Sequence, residues 1–331
     1  MSAATVPSVA GPRVVALGGG HGLAASLGAL RQVTTRLTAV VTVADDGGSS
    51  GRLRASYDLL PPGDLRMALA ALAADTPQVR LLRDTLQHRF GPQTGPDGYG
   101  GLAGHAVGNL LLAGLMQQAA DPVAALDAVA RLLELPPGTR VLPMSCEPLD
   151  IAAEVGGLGP GGTTVTVRGQ VEVATTRGRV IAVYLLPPDP EPCPQALAAV
   201  GMADALVLGP GSLFTSVLPH LLLPGLRKAV IAAHGRRVLV LNLIAQPGET
   251  AGFSPESHLE VIGALVPELE LDWVIADMSA GGGSQAALRA LRNAAQALGA
   301  RVHLAPLARA DHPGVHDADS LAQALRTVFA A

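Results

Sequence analysis

The chain has little cysteine, almost no lysine, no long apolar run and no clustered histidines, and each absence removes a class of protein. Its two cysteines, Cys146 and Cys193, stand far apart in a 331-residue chain that is 49% hydrophobic. A core of that size needs no covalent staple, so a disulfide framework is excluded and a reducing, cytoplasmic compartment is expected. Of the 23 basic residues only Lys228 is a lysine, the arginines form no dense block, and the formal net charge is -4. No nucleic-acid partner is expected from that distribution. No segment approaches about 18 uninterrupted apolar residues, so no membrane span is expected. The opening MSAATVPSVAGPR lacks a basic region followed by an apolar core, so no export signal is expected either. The nine histidines show no metal-ligand spacing, and no local signature spells Ser-His-Asp or Cys-His catalysis.

What is present is alternation. Residues 13–17 (RVVAL) and 37–44 (LTAVVTVA) are short, β-branched runs separated by a glycine-led helical stretch over about 22–33, which is a βαβ unit. GDLRMALAALAAD then carries helical spacing behind Asp64, a candidate N-cap, and three further helical stretches follow to about residue 135. Between about 140 and 186 the pattern changes to alternating segments with Gly-rich turns, which predicts a small antiparallel ribbon. Strand and helix alternate again through DALVLG (204–209), RVLVLNL (237–243), DWVIAD (272–277) and RVHLAP (301–306). The expected fold class is α/β: a doubly wound, mostly parallel, Rossmann-like sheet with a helical insert at about 55–135 and an antiparallel ribbon at about 140–186. One domain over 13–331 follows, with residues 1–12 expected to be a disordered tail.

Ligands of open parallel sheets gather at the carboxyl ends of the strands, so the loops there form one candidate surface. Gly18, Gly19, Gly20 and Gly22, with His21 among them, let backbone N–H groups approach a phosphate at the positive end of a helix. Gly20, Gly22 and Ala25 also satisfy the loose dinucleotide pattern, and Asp45 stands near where a ribose-binding acid belongs. In VVTVADDGGSSGRLR (40–54), Asp45 and Asp46 offer hard oxygens to Mg2+, while Gly47, Gly48, Ser49 and Ser50 offer N–H groups to an anion, supported by Arg52 and Arg54. A plain turn in which the acids accept backbone hydrogen bonds accounts for the same residues. Gly209, Pro210, Gly211, Ser212, Thr215 and Ser216 make a second strand-to-helix junction suited to phosphate, sugar or base, with Ser212 as an N-cap in the simplest account. Asn242, Gln246, Glu249 and Thr250 follow another strand, where side-chain amides can meet a base or sugar edge. In the insert, Asp64, Arg66, His105 and Asn109 fall at or near helix starts, His105 and Asn109 sharing a face if their helix begins early enough.

In order, VVALGGGHGLAASLGALR, TAVVTVADDGGSSGRLR, PPGDLRMALAAL, GHAVGNLLLAGL, LGPGSLFTSVLPHLLLPG and QPGETAGF closely resemble the YvcK-like family of gluconeogenesis factors, over roughly residues 13–328. That family is related in fold to 2-phospho-L-lactate transferase. The resemblance implies a cytoplasmic bacterial protein needed for cell shape and growth on gluconeogenic carbon. It also implies binding of UDP-N-acetylglucosamine and similar UDP-sugars, with no established catalysis. By position it carries Gly18 to Leu23, Asp45 to Ser50, Gly209 to Ser216 and Gln246 to Thr250 into the nucleotide-sugar site. The chain departs from the family pattern at His21, where Thr is common, at Met67, where DIRN has Asn, and at Val315, where RHD has Arg.

Three readings follow. One is a UDP-sugar-binding regulator that works through unidentified protein partners, requires no cofactor and has Asp45 or Asp46 on sugar hydroxyls. Another is an Mg2+-dependent transferase with Asp45 and Asp46 as catalytic candidates. The last is a nicotinamide-dependent oxidoreductase. The first is preferred, because the glycine-rich pattern continues past Asp45 and a second phosphate-like loop exceeds what one dinucleotide fingerprint needs. A homodimer is the base-rate expectation.

Overall fold

Short β-branched runs bounded by glycine, each followed by a helical stretch, can bury both faces only in a parallel sheet wrapped by helices. The computed structural model describes residues 11–92, 101–245, 250 and 252–331. The chain runs β1 (Val14–Gly18), α1 (Gly20–Leu30), β2 (Leu37–Val41), α2 (Gly48–Tyr57), α3 (Pro62–Leu72), α4 (Pro77–Gln87), α5 (Val107–Gln118) and α6 (Pro122–Leu132). It continues with β3 (Arg140–Pro143), β4 (Asp150–Gly156), β5 (Val165–Arg168), α7 (Gln170–Ala174), β6 (Arg179–Leu186), α8 (Pro194–Gly201) and β7 (Ala205–Leu208). It ends with α9 (Leu218–Leu222), α10 (Pro224–Ala232), β8 (Arg236–Val240), α11 (Pro255–Leu265), β9 (Trp273–Asp277), α12 (Gln285–Ala297), β10 (Arg301–Ala305) and α13 (Ala318–Ala330).

Seven strands form one sheet in the order β10-β9-β8-β7-β1-β2-β3, and every neighbouring pair is parallel. Winding proceeds outward in both directions from the β1/β7 pair, so the order reverses between those two strands. Their carboxyl ends therefore part into loops that leave a crevice. The sheet centre is dry: Val14, Val15, Ala16 and Leu17 of β1 and Leu206, Val207 and Leu208 of β7 are buried to within 2%. β1 is hydrogen-bonded on both sides, with Ala16 in register with Ala39 and Val207.

Three details differ from the sequence expectation. Arg140–Pro143, expected in the ribbon, pairs with β2 as the parallel edge of the main sheet. Its VLP core is apolar on both faces, which suits a covered edge better than a half-exposed ribbon. The antiparallel sheet is β5-β4-β6 alone. The helical insert starts at Gly48, not about 55, because the small residues after Asp46 form the first turn of α2. The expected tail falls largely on residues 1–10, outside the described residues.

The two cysteines remain free but come together: the Cys146 thiol donates to the Cys193 sulfur, and the Cys193 N–H donates to the Met144 carbonyl at 2.9 Å. Among the described residues no helix is long and apolar enough to cross a membrane.

Candidate functional site

The crevice is built first by glycine. β1 passes into α1 through Gly19 alone, and Gly20 takes the left-handed conformation (φ 57°) that opens the helix. A Cβ on Gly19 would lie 2.4 Å from Asp64 Oδ2, and one on Gly22 would lie 2.2 Å from the Pro210 carbonyl oxygen. Both positions therefore require glycine: one admits the Asp64 carboxylate, the other lets the two loops touch. Ser26 Oγ completes the contact by donating to the Gly209 carbonyl at 2.7 Å.

Across the crevice, Gly209 (φ 71°), Pro210 and Gly211 (φ 145°) leave β7. The Asn242 amide holds this turn at both ends of one residue: Gly211 N–H donates to Asn242 Oδ1 at 2.8 Å, and Asn242 Nδ2 donates to the Gly211 carbonyl at 2.8 Å. That amide positions the loop rather than facing a base or sugar. Ser212 is the N-cap of the following turn, its Oγ accepting from Thr215 N–H at 3.0 Å and bonding the Thr215 hydroxyl.

The adjacent acids diverge. Asp45 turns inward, accepting from Gly47 N–H at 2.9 Å and from Ser50, whose Oγ in turn accepts from Gly63 N–H at 3.0 Å. Asp46 points outward and accepts from Val171 N–H at 3.0 Å, tethering α7 of the ribbon above the crevice. Two carboxylates interact with Asp45: its neighbour Asp46, whose charge raises the Asp45 pKa, and Asp64, from the first turn of α3, whose own pKa the Asp45 charge raises. Burial raises the pKa of Asp45 and of Asp64, and in Asp64 the nearby Asp45 charge adds to burial and carries it to about 7, against a partly offsetting bond from Gly20 N–H. Repulsion between neighbouring carboxylates is what a divalent cation relieves; with Asp46 turned onto Val171 N–H, the Asp45/Asp64 pair suits Mg2+ better than Asp45 with Asp46. Among the described residues no group of three or more His, Cys, Asp and Glu converges, so water and phosphate would complete any such shell.

Behind the pair stands a buried network. Arg66 Nη1 donates to Asn109 Oδ1 at 2.8 Å, Asn109 Nδ2 donates to Ser49 Oγ at 3.0 Å, and Ser49 Oγ lies 2.9 Å from His105 Nδ1. Burial lowers the His105 pKa, which favours the neutral ring, and the ring's tautomer sets which of Ser49 Oγ and Nδ1 is the donor. His105 and Asn109 do not share a helix face, because α5 begins only at Val107; they converge on Ser49 instead. Arg52 is taken up by the Ala103 carbonyl (2.8 Å) and Arg54 by Asp150 (2.5 Å), so neither points at the crevice.

The open space forms contiguous chambers. One of about 420 Å3 is lined by Gly19 to Gly22, Asp64, Gly211, Ser212, Thr215 and Ser216, with Gln170 and Ala174 of α7 as its roof. It shares His21, Gly22 and Gly211 with a second, of about 220 Å3, bounded by Asn242 to Ala245 and Gly314 to His316. A third of about 270 Å3 continues past Asn242 toward Phe253 and His258. Of the expected residues, the glycine loops, Asp64, Ser212, Thr215, Ser216 and Asn242 are thus brought together. Ser49, Ser50, Arg66, His105 and Asn109 support the floor without lining it, Gly18 and Leu23 pack beneath, and Thr250 is buried. Gln246 and Glu249 lie outside the described residues. Asp45 stands beyond the end of β2 at Val41 with its carboxylate turned onto Gly47, away from where a ribose acid would reach.

Sequence reasoning missed Gln170, whose buried side-chain Oε1 has no donor among the described residues, and Leu243 to Ala245. Nothing in the ribbon's pattern marks Gln170; only the Asp46 tether brings it to the crevice. His316, next to the Val315 departure from the family pattern, lines the second chamber while donating Nε2–H to the Leu241 carbonyl at 3.2 Å, its pKa lowered by burial.

A sheet wound both ways from two touching glycine loops, with an elongated polar cleft at the reversal point, defines a Rossmann-like α/β protein with a candidate ligand site at the usual place. The chain belongs to the 2-phospho-L-lactate transferase CofD family, whose model matches residues 14–311, and to its YvcK-like branch. It is 53% identical over 318 residues to a Mycobacterium tuberculosis (strain H37Rv) protein provisionally named a gluconeogenesis factor, covering 96% of this chain and 90% of that one. It is 40% identical over 249 residues to the gluconeogenesis factor of Halalkalibacterium halodurans, covering 75% and 72%. The crystal structure of a UPF0052 family protein from Bacillus halodurans superposes with a TM-score of 0.81 at 33% identity, over 96% of this chain and all of that one.

Proposed function

We propose that the chain binds a nucleoside-diphosphate sugar of the UDP-N-acetylglucosamine type along the cleft. It would act as a regulator of cell-wall precursor supply and cell shape during gluconeogenic growth. The observation that carries this reading is the Gly22–Pro210 contact, which fuses two glycine loops into one long cleft. The diphosphate rests on the N–H groups at the start of α1, where the helix dipole favours an anion. Base and sugar occupy the chambers on either side, with Gln170 and His21 as contacts. The gluconeogenesis-factor names of its relatives support a role in that growth mode. The bound state would be read by a protein partner.

The transferase reading is favoured by one separate observation, the Asp45/Asp64 pair. If Mg2+ accompanies the ligand, these carboxylates hold it beside the α1 N-terminus. There the cation would neutralise charge on a transferring phosphate, since such chemistry depends chiefly on positioning and charge. This chain's own residues orient that phosphate through Gly20 to Gly22 and keep Asp64 poised to lose its proton near neutrality.

Calorimetric titration with UDP-N-acetylglucosamine, GDP and NADPH, each with and without Mg2+, tests both readings. Binding of the UDP-sugar without turnover supports the regulator, and heat with NADPH alone overturns it. Turnover of a phosphodiester donor that Asp64→Asn abolishes moves the assignment to a transferase.

A further inference from the structure

The cleft uses the carboxyl ends of the strands, but the amino ends carry a second cavity with its own chemistry. Side chains alternate along a strand, so Arg13 and Val15 of the β1 segment, Arg36 and Thr38 of the β2 segment, and Arg140 and Leu142 of β3 share one sheet face. The register confirms the row: Val15 pairs with Thr38, and Thr38 with Arg140. Helix α8 crosses this face without filling it. A cavity of about 330 Å3 remains, walled by Val14, Val15, Leu142, Ala198, Ala199 and Met202 and edged by the three arginines and Gln195.

Three guanidinium groups on adjacent strands repel one another unless matched. Two are matched. The Arg13 guanidinium is paired with Asp204, Nε lying 3.6 Å from Oδ2, and the same oxygen accepts from the Arg13 backbone N–H at 2.7 Å. Arg140 forms a bidentate pair with Asp127, at 3.2 and 2.7 Å. Among the described residues nothing accepts from the half-buried Arg36 guanidinium. The cavity therefore offers one unmatched planar fork over a largely aliphatic wall, at the small end of the size range for small-molecule sites.

We propose that this cavity is a second ligand site, distinct from the cleft, for a small organic anion with a carboxylate or phosphate head on Arg36 and an aliphatic body under α8. Because β1 runs from this cavity to the Gly18–Gly22 loop and β2 runs toward Asp45, the occupant sits at the opposite ends of the two strands that support the cleft.

Calorimetry with hexanoate, hexyl phosphate, hexanol and hexylammonium tests it on the full chain. Both anions bind with a dissociation constant below about 1 mM, hexanol binds at least about tenfold more weakly, and hexylammonium gives no heat. Arg36→Gln weakens both anions about tenfold or more, and Arg36→Lys restores part of that loss. Ala198→Trp, at the exposed mouth, fills the cavity with every charge intact and abolishes binding of both anions and of hexanol; it stands in if Arg36→Gln melts early. Anion binding unchanged in Arg36→Gln or Ala198→Trp places the site elsewhere and overturns the proposal. So does hexylammonium binding as well as hexanoate, or no anion heat at all.

Discussion

Replacing Asp64 with Asn keeps a carbonyl acceptor for Gly20 N–H while removing a charge that the cleft floor resists. In the folded chain the Asp64 pKa is pushed up to about 7 from its ordinary 3.8, through burial first and the Asp45 charge second. A raised carboxylate pKa means the folded state holds its proton more tightly than the unfolded chain, so stability is full below about pH 4 and falls as pH rises through about 7. At about 1.36 kcal/mol per tenfold change in proton affinity, the rise from 3.8 to about 7 sets a ceiling of roughly 4 kcal/mol at pH 8. Asp64 is not wholly enclosed, so about 2 kcal/mol is the expected loss. Urea unfolding of both proteins at pH 5, 6, 7 and 8 reads it directly. Asp64→Asn exceeds the parent by about 2 kcal/mol at pH 8 and by roughly a third of that at pH 5. Millimolar Mg2+ narrows the gap at pH 8 by stabilising only the parent, since a cation held by the pair favours the folded chain. A stability difference that stays flat from pH 5 to 8 would refute the electrostatic account of the floor.

Gly22→Val pushes a side chain into the Pro210 carbonyl, parting the loops; ligand affinity drops more than about tenfold and stability by about 1–3 kcal/mol, measured by calorimetry and thermal melting. Asn242→Asp removes the donor to the Gly211 carbonyl and sets two acceptors against each other, costing about 1–3 kcal/mol by denaturant unfolding and weakening UDP-sugar binding in parallel. Gln170→Ala, by contrast, leaves the melting temperature within a degree or so while reducing UDP-sugar affinity by about threefold to tenfold, because its Oε1 has no partner among the described residues. Equal affinities for parent and Gln170→Ala would remove the ribbon from the site.

The sheet was legible where patterning is local. DALVLG, RVLVLNL, DWVIAD and RVHLAP each became a strand within one to three residues of the expected bounds, because β-branched runs between glycine and helical spacing leave the backbone little choice. The three helices expected after α3 also formed. GGSSGRLR misled, since small polar residues carry the composition of a loop and are helical here through contacts from α3 and α5. Arg140–Pro143 misled for a similar reason: four residues cannot show whether they join a ribbon or the edge of a distant sheet.

Within the site, the glycines were found because a backbone that must take positive φ or admit an oxygen at under 3 Å tolerates only glycine, and that demand is written at the position itself. The partners of the polar groups were not so written. Asp45 was grouped with its neighbour Asp46, yet its charge also acts on Asp64 from α3, while Asp46 reaches Val171, 125 residues away. Asn242, expected to read a ligand edge, spends both halves of its amide on Gly211.

By itself, then, the sequence determined which segments are strands and helices and where the chain must bend tightly, since periodicity and backbone sterics act over a few residues. Only the tertiary structure decided which acid pairs with which, which amide clamps a loop and which arginine is left unmatched. Those outcomes depend on the winding of β1 and β7 in opposite directions, which brings together residues that no local pattern connects.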